Sequence, residues 1–100
     1  TIEQHPHRQL RLVWGTVKDK DQGKVLPLLP KNAEYYFCEA KMPRALPASE
    51  LQQQAIAFGL TGRIVPDVNQ ALSTALADAA PDDLVVVGGS TFVVAELEGL

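Results

Sequence analysis

Leu84-Val85-Val86-Val87-Gly88-Gly89-Ser90 decides the fold. Four successive aliphatic residues leave no polar face, so a strand built from them must be covered on both sides. That pattern belongs to parallel sheets with helices on both faces. The two glycines and the serine then mark a strand-to-helix turn, and Thr91 to Leu97 is the expected final helix.

Working outward, the preceding segments alternate. Val68, Leu72, Ala75, Leu76 and Ala79 mark one face of a helix that Asp67 caps and Pro81 ends. Arg63-Ile64-Val65, closed by Pro66, is a short third strand. Ser49-Glu50-Leu51-Gln52 has the form of a capping box, and Leu51, Ala55 and Phe58 continue a helix to Gly59. Ala33 to Cys38, centred on Tyr35-Tyr36-Phe37, is rich in strand formers. A helix over Gln22 to Leu29 carries Pro27, which is expected to kink or shorten it. Leu10-Arg11-Leu12-Val13-Trp14, closed by Gly15, is the first strand.

Strands alternating with helices pair in parallel, because each helix returns the chain to its starting edge. The expected fold is α/β: a three-layer, Rossmann-like, open and mostly parallel sheet with helices on both faces. Residues 1–9 read as a polar lead-in, the truncated start of the domain, and residues 10–100 as a single α/β domain.

Composition narrows the function classes. The 100 residues are 46% hydrophobic and 21% charged, enough for one core but short for a complete two-substrate synthetase. A net charge of −3 argues against a phosphate-backbone binder, so no nucleic-acid partner is expected. No apolar run approaches the ~18 residues of a membrane span. No secretory leader is evident, and the single Cys38 forms no internal disulfide framework, so the expected location is cytoplasmic. Cys38 itself reads as a small buried residue. His5 and His7 read as an exposed tail, not a metal pair, and no Cys or His cluster offers a metal site. There is no G-x-x-x-x-G-K-[ST] phosphate loop and no G-x-G-x-x-G after the first strand.

In open parallel sheets, ligands bind beyond the carboxyl ends of the strands. That rule selects four loops: Lys18 to Asp21, Glu39 to Pro47, Pro66-Asp67, and Gly88-Gly89-Ser90. Taken alone, the charged run is a solvated loop and Gly88-Gly89-Ser90 a turn. Their convergence on one edge is what gives them weight. Lys41 and Arg44 ride on a proline-stiffened loop, and the glycine turn leads a helix N-terminus, a place suited to anions.

Three segments carry a family resemblance. Leu12-Val13-Trp14-Gly15 followed by Asp19-Lys20-Asp21 resembles the strand–G-x-x-x-D-K-D segment of bacterial folylpolyglutamate synthases, some of which are also dihydrofolate synthases. Pro43-Arg44-Ala45 is similar to their next strand-following loop, and Val87 to Glu96 to their closing G-S-x-[FY] strand and helix. The resemblance implies the carboxy-terminal domain of an ATP-dependent amide ligase related to the Mur ligases. Such an enzyme phosphorylates a carboxylate with ATP, and glutamate's amine then attacks the acyl phosphate. It further implies ATP and Mg2+ bound mainly by other domains, folate or dihydropteroate and L-glutamate as partners, and an amino-terminal ATPase domain in the same chain. On the matching positions, Asp19, Lys20 and Asp21 are expected at ATP, with Lys20 catalytic through its charge on the transferred phosphoryl group. Arg44, Ser90, Gly88 and Gly89 are expected at glutamate. The family's D-x-A-H-N-P hinge is not in this chain, which reads as starting after it, and Pro27 departs from the family's helix. The domain alone is expected to be inactive. The competing readings are a peptidoglycan Mur ligase domain and a non-catalytic anion- or nucleotide-binding domain.

Overall fold

The computed structural model describes residues 9–18, 21–89 and 93. Strand β1 spans Leu10–Trp14, β2 Ala33–Phe37, β3 Thr61–Ile64 and β4 Leu84–Gly88. Helix α1 spans Gln22–Val25, α2 Ala48–Ala57 and α3 Val68–Asp78. Among the described residues the sheet order is β3-β2-β1-β4, and every neighbouring pair is parallel. Leu10 pairs with Ala33 on one side and Leu84 on the other. The chain therefore steps outward from β1 to β3 and then crosses back to the far side of β1. This reversal puts a topological switch point between β1 and β4, where open sheets hold ligands.

Alternation along the strands builds two cores, and both faces are covered as the aliphatic run predicts. Leu10, Leu12, Tyr35 and Phe37 point to one face and bury against Leu26, Leu51, Ala55 and Leu60. The Tyr35 and Phe37 rings stack there, with centroids 5.6 Å apart. Val13, Tyr36 and Cys38 point to the other face and bury against Val68, Ala71, Ala75 and Val93. Strand β4 contributes to both: Leu84 and Val86 pack on the first cluster, Val85 and Val87 on the second.

A polar seam closes the second face near the amino ends of the strands. Arg11 pairs with Asp83 at 3.1 Å and donates to the Tyr36 hydroxyl at 2.9 Å. That hydroxyl donates to Asp78 at 3.0 Å, and Arg63 pairs with the same Asp78 oxygen. The seam ties β1, β2, β3 and the end of α3 together through one phenol.

The shortening expected at Pro27 is seen, and three other local expectations need correction. The helix expected over Gln22 to Leu29 is four α-helical residues followed by a 3₁₀ turn over Leu26–Leu28. Pro27 lies in the first positions of that turn, where a missing N–H costs nothing. The third strand is Thr61–Ile64 rather than Arg63 to Val65. It is a largely exposed edge strand, so pairing with Glu34–Phe37 sets its bounds, not its apolar content. Ser49 does not cap α2: the helix starts at Ala48 after Pro47, and the Gln52 amide instead donates to the Gly62 carbonyl at 2.9 Å. On α3, Ala71 is buried while Leu76 is 57% exposed. Eight residues at 100° each place Leu76 about 80° from Val68, at the margin of the buried stripe. Of the final helix expected over residues 91–97, only Val93 is described, and it is fully buried.

Candidate functional site

All four loops selected from the sequence follow parallel strands, so they share the carboxyl edge of the sheet. The β1 and β2 loops are also joined directly. Val17 and Ala45 form an isolated antiparallel bridge. The Lys18 N–H donates to the Arg44 carbonyl at 2.8 Å, and the Leu46 N–H to the Thr16 carbonyl at 3.0 Å. Buried Gln22 braces the pair by donating to the Val17 carbonyl at 3.2 Å. Two exposed cations, Lys18 and Arg44, are thereby held on adjoining backbone.

Gly88 and Gly89 flank the β1 loop from the opposite side, since β4 is the other neighbour of β1. Gly89 has φ +103, and a Cβ there would lie 2.1 Å from the Gly15 carbonyl oxygen. Only glycine permits both the conformation and this approach of the two loops. The Trp14 indole lies under the turn; a Cβ at Gly88 would meet its ring at 3.2 Å. Two buried polar atoms here, Trp14 Nε1 and Thr16 Oγ1, have no hydrogen-bond partner among the described residues. Leaving such a group without a partner costs about 1–3 kcal/mol. The glycine turn packs directly onto the end of β1 and the start of its loop.

The remaining loops are pinned by charge. Asp67 accepts from the Gln70 N–H at 2.8 Å, which confirms it as the cap of α3, and Lys41 of the β2 loop pairs with it at 3.1 Å. The backbone bond and Lys41 hold the Asp67 carboxyl below the usual carboxylate range. The Glu39 N–H donates to the Pro66 carbonyl at 2.9 Å. The Glu39 carboxylate accepts from the Ala48 N–H at 2.9 Å, supplying the cap that Pro47 cannot.

The sequence-selected residues thus divide. Arg44, Gly88 and Gly89 stand around the β1 loop. Asp21 is exposed and accepts from the Gly23 N–H at 3.0 Å, which makes it the cap of α1. Asp19, Lys20 and Ser90 lie outside the described residues. Cys38 is buried, as expected. Among the described residues, no group of three His, Cys, Asp or Glu is placed to hold a metal ion, and no helix is long and apolar enough to cross a membrane. Sequence reasoning missed Glu39, because a cap supplied from nine residues upstream leaves no local pattern. It also missed the pairing of Lys41 with Asp67, which depends on β2 and β3 being neighbours.

Comparison with known proteins bears on this edge. The chain is 35% identical over 97 residues to a probable bifunctional folylpolyglutamate synthase/dihydropteroate synthase of Halobacterium salinarum. That match covers 96% of this chain and 12% of the relative. Among solved structures it resembles E. coli FolC in complex with DHPP and ADP, with a TM-score of 0.82 and 28% identity over 94% of this chain and 22% of that one. It also resembles a bifunctional folylpolyglutamate synthase/dihydrofolate synthase with Mn, AMPPNP and L-glutamate bound, with a TM-score of 0.75 and 27% identity over 94% of this chain and 23% of that one. The chain thus spans about an eighth of the curated relative and under a quarter of the solved ones. The family described as the Mur ligase, glutamate ligase domain, matches residues 1–91. The match takes in all four strands and the clamped loops at their carboxyl ends, and this chain belongs to that glutamate ligase domain family.

Proposed function

We propose that this chain is the carboxy-terminal domain of an ATP-dependent, cytoplasmic ligase that adds L-glutamate to folate, a folylpolyglutamate synthase. The observation that carries the reading is the clamped pair of loops, which holds Lys18 and Arg44 beside the Gly88-Gly89 cradle at the switch point. A second activity is left open by the relatives' own names, which pair the synthase with dihydropteroate synthase in one case and dihydrofolate synthase in another. Acceptance of dihydropteroate is therefore a matter for assay.

In the parent enzyme, ATP supplies the phosphoryl group that activates the folate carboxylate, and Mg2+ is held by domains other than this one. This chain's residues position and balance charge. Lys20 offsets charge on the transferred phosphoryl group. Asp19 and Asp21 border the same loop, with Asp21 also fixing α1. Arg44 forks a carboxylate of the incoming glutamate through two parallel N–H donors. Gly88, Gly89 and Ser90 line the glutamate pocket, where the glycines let backbone approach the ligand. The amino-terminal ATPase domain of the same polypeptide closes against this edge, so the domain by itself does not turn over substrate. Residues 10–100 form one folding unit in this reading.

The test is ADP formation by the full-length parent with folate and glutamate. Lys20→Ala is expected to remove most turnover. An unchanged rate overturns the role given to Lys20, and turnover on UDP-linked muramyl precursors in place of folate overturns the substrate class.

A further inference from the structure

Arg44 sits in a loop whose two ends are joined by a single carboxylate. Glu39 leaves the end of β2, and its Oε1 accepts from the N–H of Ala48, the first residue of α2, at 2.9 Å. Pro47, in the capping position, has no side-chain acceptor to offer, and Ser49 lies inside the helix and is exposed. Ala48 is fully buried, so water is a poor substitute at this N–H. Residues 40–47 are thus closed into a loop. The Glu39 N–H anchors its start to Pro66, and the bridge of Ala45 to Val17 anchors it to the loop after β1. Within it, the Met42 N–H donates to Ala40 and the Ala45 N–H to Met42, so the backbone on both sides of Arg44 is bonded. The tie to α2 runs through the Glu39 side chain rather than the backbone, which makes it separable by mutation.

We propose that Glu39 is a positioning residue for glutamate recognition: its carboxylate closes the 40–47 loop onto α2 and so fixes where the Arg44 guanidinium is presented. The proposal rests on the reading of Arg44 as the fork for a glutamate carboxylate. A fork needs both direction and distance; without the Glu39 bond the loop keeps its backbone bonds to Thr16 and Lys18 but loses its side-chain tie to α2, and its aim loosens. The effect is on binding of the amino acid, not on phosphoryl transfer, so it divides KM from kcat.

The experiment uses the full-length ligase at saturating ATP and folate, with glutamate varied and ADP measured. Glu39→Ala is expected to raise KM for glutamate about tenfold, with kcat and KM for ATP within about threefold. Glu39→Gln keeps the accepting oxygen and is expected to restore KM to within about threefold of the parent. Combined with Arg44→Ala, Glu39→Ala adds nothing further to KM, because the group it positions is gone. Glu39→Asp, one methylene shorter, changes KM in the same direction and serves if Glu39→Ala does not fold. If Arg44→Ala leaves KM for glutamate unchanged, the reading of Arg44 fails and the proposal with it. If Arg44→Ala raises KM while the Glu39 variants do not, the proposal fails and the reading stands. A kcat loss at Glu39 without a KM change also overturns it.

Discussion

Tyr36→Phe isolates one oxygen at the centre of the polar seam. The phenol accepts from Arg11 at 2.9 Å and donates to Asp78 at 3.0 Å, and the residue is fully buried. Both bonds have a charged partner, a class worth about 1.5–3 kcal/mol each. Neither partner is stranded by the substitution, however. Arg11 keeps Asp83, and Asp78 keeps Arg63. The Asp78 side chain is 32% exposed, so water replaces part of what the phenol supplied. The ring itself stays, along with the Arg63 guanidinium 5.4 Å from its centroid. The expected loss is therefore below the roughly 3 kcal/mol low end for two such bonds, at about 2 kcal/mol. For a domain of this size that lowers Tm by roughly 10 °C, read by circular dichroism on heating the 100-residue chain. Because the seam lies at the amino ends of the strands, the loss is expected without any change in KM for glutamate or ATP in the parent ligase. A Tm within about 3 °C of the unsubstituted chain refutes the reasoning, since it means the phenol bonds are no better than its bonds to water.

Gly89→Ala attacks the opposite end. The new Cβ meets the Gly15 carbonyl oxygen at 2.1 Å on a backbone with φ +103, so overpacking and conformational strain add to about 2–5 kcal/mol. Thermal unfolding is expected to shift down by more than about 10 °C, and a variant that melts with the parent sinks the close-approach argument. Tyrosine ionisation, followed by phenolate absorbance, tests burial, because the chain has two tyrosines. Burial pushes Tyr35 up to about 12, and burial together with donation to Asp78 pushes Tyr36 up against the opposing pull of Arg11. A raised phenol stabilises the fold fully below its unfolded value of about 10 and loses that contribution as pH climbs through the folded value. Stability is therefore expected to fall from about pH 10 toward 12, and Tyr35→Phe to flatten the fall. A normal phenolate titration near 10 in the folded chain contradicts the buried placement.

What the sequence discloses and what it withholds separate along a physical line. The two-faced apolar run over Leu84 to Val87, the Asp67 cap and the glycine after α2 were legible because each depends on neighbours in the chain. Helix α2 misled for the complementary reason. Ser49-Glu50-Leu51-Gln52 satisfies the local rule for a capping box, yet a free N–H accepts whichever acceptor tertiary structure brings nearest. Here that is Glu39, carried in by the end of β2. The β3 boundary shifted likewise, because an exposed edge strand owes its register to β2 rather than to its own side chains. The candidate site is made of such long-range placements. Parallel order brings the four loops to one edge, which alternation alone predicts. The bridge between Val17 and Ala45 follows from no residue pattern at either position, and it is what sets Arg44 beside Lys18. The loop cations were therefore readable from the sequence, whereas the backbone bridge and the Glu39 cap that aim them were not. A substitution that loosens the aim and leaves the loop's cations intact, such as Glu39→Ala read beside the uncharged but still accepting Glu39→Gln, is the way to tell recognition by geometry from recognition by charge alone.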